Sequence, residues 1–127
     1  VVGCGGNRDK TKRPEMARIA CELSDKVVLT SDNPRNEEPL SIIEDMQKGV
    51  SPSNFKKTLV MADRKEAIKT ASALAEPKDI ILVAGKGHEN YIILGTEKID
   101  YNERQVVMDF FNKLDSQQAT SSLGGKV

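Results

Sequence analysis

Four short stretches of the chain are apolar with almost no polar interruption: "VVG" at 1–3, "KVVLT" at 26–30, "TLVMA" at 58–62 and "DIILVAG" at 79–85. A strand with one face in water alternates polar and apolar residues, whereas a strand covered on both faces does not. Runs this short therefore predict strands of a parallel sheet packed between helices. Helical spacing falls in between and after them: Met16, Ile19, Ala20 and Leu23; Ile42, Ile43 and Met46; Ala67, Ile68, Ala71, Leu74 and Ala75; and Val106, Val107, Phe110, Phe111 and Leu114. Pro14 suits a first helical turn, and Asp63 suits an N-cap with Glu66 as its box partner. "YIIL" and "EKIDY", divided by Gly95 and Thr96, read as two short strands around a tight turn. The expected class is α/β: a mostly parallel sheet of about six strands with an antiparallel edge and helices on both faces.

Composition narrows what such a domain can do. With 127 residues, no Trp, three Phe and two Tyr, the chain has material for one core and one domain. Lys plus Arg equals Asp plus Glu at 19 each, so no basic excess is available for a nucleic-acid backbone. Cys4 and Cys21 form no CxxC pair and His88 is the single histidine, which argues against a disulfide framework or a metal site and fits a reducing cytoplasm. No apolar run approaches the roughly 20 residues of a membrane span. Val1 and Val2 already read as a strand, without Met or lead-in, so a piece of a longer polypeptide is expected. "SQQATSSLGGKV" is polar and aperiodic, which predicts a folded domain over 1–114 and a flexible polar tail over 115–127.

Three loops emerge at carboxyl ends of the predicted strands: "GCGGNRDKTKRP", "SDNPRNEEP" and "GKGHEN". In open α/β sheets, ligands bind at that edge. The loops offer Arg8, Asp9, Lys10, Asp32, Asn33, Arg35, Lys86, His88 and Glu89, a set of both charges suited to a zwitterion. "GCGGNRDK" is not a G-x-G-x-x-G dinucleotide fingerprint, since position 8 is Arg, and it lacks the Gly-Lys-Ser/Thr ending of a Walker A loop. "DNPR" on its own serves as a helix start and "GKGHEN" as a surface turn; a charged loop at all three predicted strand ends, punctuated by glycine in the first and third, favours a shared site.

"GCGGNRDKTKRPEM", "TSDNPRNEEP" and "LVAGKGHENY", with "DYNERQ" further on, resemble the signature segments of the C-terminal domain of the diaminopimelate-adding Mur ligases, the MurE family. The resemblance runs in order from Val1 to about Leu114 and implies a Rossmann-like sheet. It implies a bacterial, cytoplasmic, ATP-dependent ligase that joins meso-diaminopimelate to UDP-MurNAc-L-Ala-D-Glu through an acyl-phosphate in peptidoglycan synthesis. ATP and Mg2+ would be bound mainly by a central domain outside this chain, the UDP end by an N-terminal one, and the whole is expected to be a monomer. Carried over by residue, the diamino-acid site falls on Arg8, on Asp32, Asn33, Pro34 and Arg35, and on Gly85 and Glu89. Asp9, Lys10, Lys86 and His88 are candidates to face phosphate on domain closure, with Lys12 nearby; no catalytic residue and no metal ligand is expected here. Lysine-adding members lack the tetrad Arg, so the substrate assignment rests on Arg35, whose planar fork matches the second carboxylate of diaminopimelate. Asn7 stands where relatives often carry an acid. The alternatives are a stand-alone amino-acid-binding or regulatory module, or the C-terminal domain of another Mur or folylpolyglutamate ligase.

Overall fold

Val27, Val28, Leu29 and Thr30 are all buried in strand β2 (Val27–Ser31), as a run without alternation requires when both faces are covered. The structure, a computed structural model, describes the backbone of residues 1–124 and the side chains of residues 1–116. β2 is the middle of three parallel strands. β1 (Val2–Cys4) pairs with it from Val2 opposite Leu29 to Cys4 opposite Ser31, and β3 (Thr58–Val60) pairs from Thr58 opposite Val27 to Val60 opposite Leu29.

Side chains along β2 alternate between two helical layers. Val27 and Leu29 join Ala17 and Cys21 of α1 (Lys12–Leu23) and Ile42, Ile43 and Met46 of α2 (Pro39–Gln47) in one core. Val28 and Thr30 turn to the other face, covered by α3 (Arg64–Leu74) through buried Ala67 and Ile68, with α4 (Glu103–Gly124) packed on α3. Handedness explains the division. From β1 to β2 to β3 the chain steps in one direction, so right-handed crossovers leave α1 and α2 on one face. The chain then returns to the far side of β1, where the Ala84 amide donates to the Val1 carbonyl at 2.9 Å, and this reversal sends α3 to the opposite face. The reversal is the switch point at which α/β sheets hold ligands.

The four helices predicted from periodicity are present, and the Asp63 carboxylate accepts the Glu66 amide at 3.1 Å as an N-cap. A short 3-10 helix at Pro52–Lys57, with no apolar period to announce it, leads into β3. The expected sheet of about six strands is corrected. The main sheet has three, and β4 (Tyr91–Leu94) with β5 (Glu97–Asp100) forms a separate antiparallel pair. "DIILVAG" runs beside β1 without becoming a strand. Its backbone bonds to β1 only at the strand's leading residue: the Ala84 amide donates to the Val1 carbonyl, and the Leu82 carbonyl accepts from the Val1 nitrogen at 2.9 Å. Its apolar run is covered on one side only: Ile80 is 94% and Leu82 74% exposed, whereas Ile81 and Val83 are half-buried. Helix α4 continues past Asp115, where a polar tail is predicted, to Gly124, because propagation adds one hydrogen bond per residue once a turn exists. The rest of that segment, 125–127, lies outside the described residues.

At the carboxyl edge α1 and α2 are tied by a buried cation. The Arg13 side chain is 1% exposed, and its guanidinium donates to Glu37 Oε2 at 2.8 Å, Glu37 Oε1 at 3.1 Å, Asp45 Oδ2 at 3.0 Å and the Gly5 carbonyl at 3.1 Å. Glu37 also accepts the Asn7 amide at 2.6 Å, so one carboxylate holds the first loop to the start of α2. Hydrogen bonds from Arg13, then from the Asn7 amide, lower the Glu37 pKa from 4.5 to about 2.

Two outcomes follow. Ile43→Ala, at a site 1% exposed, should cost about 2–5 kcal/mol in chemical denaturation, whereas Ile80→Ala, at a site 94% exposed, should change stability by less than about 0.5 kcal/mol. A carboxylate with a depressed folded pKa stabilises above its unfolded pKa and loses that contribution as pH falls through the folded one. Melting temperature should therefore fall between pH 4.5 and about 2, and Glu37→Gln should flatten the profile in that window. An unchanged slope in the variant would remove Glu37 as its source.

Candidate functional site

The chain leaves β2 at Asp32 and immediately buries a carboxamide. Asn33 is 4% exposed, and an amide with two donors and two acceptor lone pairs cannot be buried cheaply unless they are met. Its Oδ1 accepts from Lys86 Nζ and from the Ile93 amide, both at 3.0 Å, and its Nδ2 donates to Glu89 Oε1 at 3.1 Å. Its backbone carbonyl accepts the Gly6 amide at 2.8 Å. One residue of the second loop thus binds the first loop, the fourth-segment loop and β4. Gly6 lies so close that a Cβ there would overlap the Pro34 carbonyl, which explains why a glycine occupies this position.

Lys86 completes the junction from inside. Its side chain has no exposed surface; Nζ donates to Asp32 Oδ1 at 2.8 Å, lies 3.9 Å from Glu89 Oε1, and sits 6.0 Å from the centre of the Tyr101 ring. An ammonium withdrawn from water persists only with fixed counter-charge, and Asp32 supplies it. Lys86, a candidate to face phosphate, points into the protein interior here.

Arg35 has φ of +53°, in the left-handed region that costs a side-chain-bearing residue of order 1 kcal/mol. Two backbone bonds to the hairpin hold it there: the Arg35 amide donates to the Ile93 carbonyl at 3.0 Å, and the Gly95 amide donates to the Arg35 carbonyl at 2.6 Å. Its Nη1 donates to the Gly6 carbonyl at 2.9 Å and, at 3.4 Å, to that of Asn33. Arg35 Nη1 and the Cγ of Arg8 both border the space that a side chain at Gly5 would fill, so the two arginines flank one glycine. Arg8 is exposed.

The other sequence candidates lie around this junction in different states. Gly85, with φ of +116°, stands against Asp32, and only glycine adopts that backbone without strain. The Asp9 carboxylate accepts the Thr11 hydroxyl at 2.7 Å and amide at 2.9 Å, which lower its pKa and organise the entry to α1. Lys10 is exposed and reaches Glu37 at 3.7 Å; Lys12 and His88 are exposed. Asn7 has φ of +54°, a conformation that asparagine tolerates better than most residues.

Sequence reasoning missed the buried supports. Arg13 holds the first loop, and Arg64, 2% exposed, binds Glu103 at 2.6 Å together with the carbonyls of Ser31 and Ala84. Arginine is a surface residue by default, so neither carries a local mark of burial. The available signals were position and company: each opens a helix, and Glu103 lies within "DYNERQ". Among the described residues no three His, Cys, Asp or Glu side chains are grouped to hold a metal ion, and no helix is long and apolar enough to cross a membrane.

This arrangement has relatives. A profile described as "Mur ligase, glutamate ligase domain" matches residues 1–87. The chain is 57% identical over 114 residues to a Cytophaga hutchinsonii protein named "UDP-N-acetylmuramoyl-L-alanyl-D-glutamate--2,6-diaminopimelate ligase", covering 90% of this chain and 24% of that protein. A Bacteroides thetaiotaomicron protein of the same name is 57% identical over 112 residues, covering 88% of this chain and 23% of that protein. A solved structure of a ligase with that name superposes with a TM-score of 0.84 at 38% identity, over 90% of this chain and 23% of the solved one. The chain spans about a quarter of the length of the relatives it matches. With its sheet, its reversal point and its matched residues in agreement, the chain belongs to the Mur ligase family, as its glutamate ligase domain.

Proposed function

We propose that this chain is the amino-acid-holding C-terminal domain of a longer, bacterial, cytoplasmic ligase that uses ATP to join meso-diaminopimelate to UDP-MurNAc-L-Ala-D-Glu in peptidoglycan synthesis. The observation that carries this reading is the junction at Asn33, which draws Gly6, Lys86, Glu89 and β4 together beside Arg35. The names of the similar proteins support the same substrate. The length of those relatives favours a domain of a larger ligase over a stand-alone module.

Within that reading Arg35 takes the distal carboxylate. Nη1 is engaged by carbonyls, which fixes the plane of the guanidinium, and Nε and Nη2 make no hydrogen bond among the described residues. A planar pair of N–H donors accepts a carboxylate at two points, which an ammonium cannot do. Arg8, across Gly5, adds a second positive charge. Asp32 and Glu89 balance the distal ammonium of the ligand, and Gly85 presents backbone in place of a side chain. Pro34 holds the tetrad's turn. When bound by the other domains, ATP and Mg2+ would activate the D-glutamate carboxyl as an acyl-phosphate; Lys10 and His88, both exposed, would approach that phosphate on closure, and the assembled enzyme would work as a monomer.

The test is substrate selectivity in the full-length ligase. Removing one partner of a buried ion pair typically costs roughly 3–5 kcal/mol, or about two to four decades in selectivity. Arg35→Ala should lower kcat/KM for diaminopimelate by at least about a hundredfold while the poor efficiency with lysine changes much less. Arg35→Lys should restore little. Equal loss for both amino acids would mean that Arg35 supports the loop and does not read the carboxylate. The 127-residue chain alone should show no ATP turnover, checked by phosphate release after chromatography; turnover that co-purifies would contradict the division of labour.

A further inference from the structure

Arg64 lies outside the loops that form the site, yet its guanidinium touches the root of two of them. Nη1 donates to the carbonyl of Ser31 at 3.0 Å, one residue before Asp32, and Nη2 donates to the carbonyl of Ala84 at 2.8 Å, one residue before Gly85. Between those two points runs β1, paired to β2 on one side and bonded through Val1 to Ala84 on the other. The guanidinium therefore spans a strand, and the rigid separation of its two terminal nitrogens sets how far apart the second and fourth-segment loops begin.

The clamp is itself held. Nε and Nη2 donate to the two oxygens of Glu103 at 2.6 and 3.1 Å, a fork that fixes the guanidinium plane, and the Tyr101 hydroxyl donates to Glu103 Oε1 at 3.1 Å. Tyr101 also places its ring beside Lys86, the cation that joins the same two loops nearer their tips. Arg64 and Lys86 thus fix one pair of loops at root and tip, through a shared aromatic residue.

We propose that Arg64 is a positioning residue for the amino-acid site: by bridging Ser31 and Ala84 it registers the Asp32–Arg35 loop against the Gly85–Glu89 loop, so that the junction at Asn33 closes. The inference rests on the functional reading above for its kinetic arm and on the geometry alone for its structural arm. Lysine at this position keeps the charge beside Glu103 but has one nitrogen where the clamp needs several in a plane.

In the full-length ligase, Arg64→Lys should raise KM for diaminopimelate by about tenfold or more, since small misplacements of positioning groups are amplified in this way, while KM for ATP and for UDP-MurNAc-L-Ala-D-Glu stays within about twofold. A loss of folded enzyme would instead lower kcat and leave every KM in place, which would overturn the proposal. The second arm is amide hydrogen exchange on the same protein. Exchange should accelerate at Gly6 and Ile93, whose amides bond to Asn33, with β1 and β2 amides unchanged. Unchanged exchange at Gly6 and Ile93, or an equal rise across the sheet, would make Arg64 a purely structural residue. Wild-type enzyme without diaminopimelate-dependent turnover would refute the functional reading, and the exchange arm would still decide the role of Arg64.

Discussion

Three cations, Arg13, Arg64 and Lys86, are buried at the carboxyl edge of the sheet, and the arrangement of that edge depends on their neutralisation. A charge withdrawn from water has to find its counter-charge inside the protein. Each of the three finds it on a different part of the chain: Arg13 on Glu37 and Asp45, Arg64 on Glu103, Lys86 on Asp32. Net stability is a poor measure of such pairs, because apolar replacements of similar shape often do as well. What the pairs select is connectivity. A loop that drifts by one position leaves a buried ion alone, so the first, second and fourth-segment loops are committed to one arrangement.

Backbone conformation serves the same end. Asn7, Arg35 and Gly85 all have positive φ, and each lies in one of the three loops. Left-handed residues persist where surrounding contacts over-determine them. Asn7 is held by Glu37, and Arg35 by Ile93 and Gly95. The hairpin β4–β5, which adds no strand to the main sheet, therefore acts as a brace for the Arg35 turn.

Much of this was legible in the sequence, for identifiable reasons. The run at 26–30 announced a strand covered on both sides because helices do cover it, and the periods around Ile42 and Ala67 announced helices because their apolar faces are buried. The run at 79–85 misled because apolar character records a capacity for burial; Ile80 and Leu82 are exposed here, and no ladder forms. The three loops were readable as a group because each is dense in charge and follows an apolar run, with glycine marking the first and third. Their supports were not, because an arginine at a helix start looks the same whether its guanidinium meets water or, as at Arg64, a carboxylate and two carbonyls. The meaning of Asn7 required its dihedral angle, which no one-letter code displays.

The order of Asn33 and Pro34 has a further consequence, in the chemical ageing of the protein. Asparagine loses its amide nitrogen chiefly when the backbone nitrogen of the next residue attacks the side-chain carbonyl, a step that requires an N–H proton to leave. Proline has none. The carboxamide that joins the Asp32–Arg35 loop to Lys86, Glu89 and β4 is thereby shielded from the commonest route of its own decay. The protection matters at this position because hydrolysis would replace the Nδ2 donor with an acceptor facing Glu89 Oε1, turning a hydrogen bond at 3.1 Å into a repulsion between two acids. The residue that shapes the turn also keeps its neighbour an amide for as long as the fold lasts.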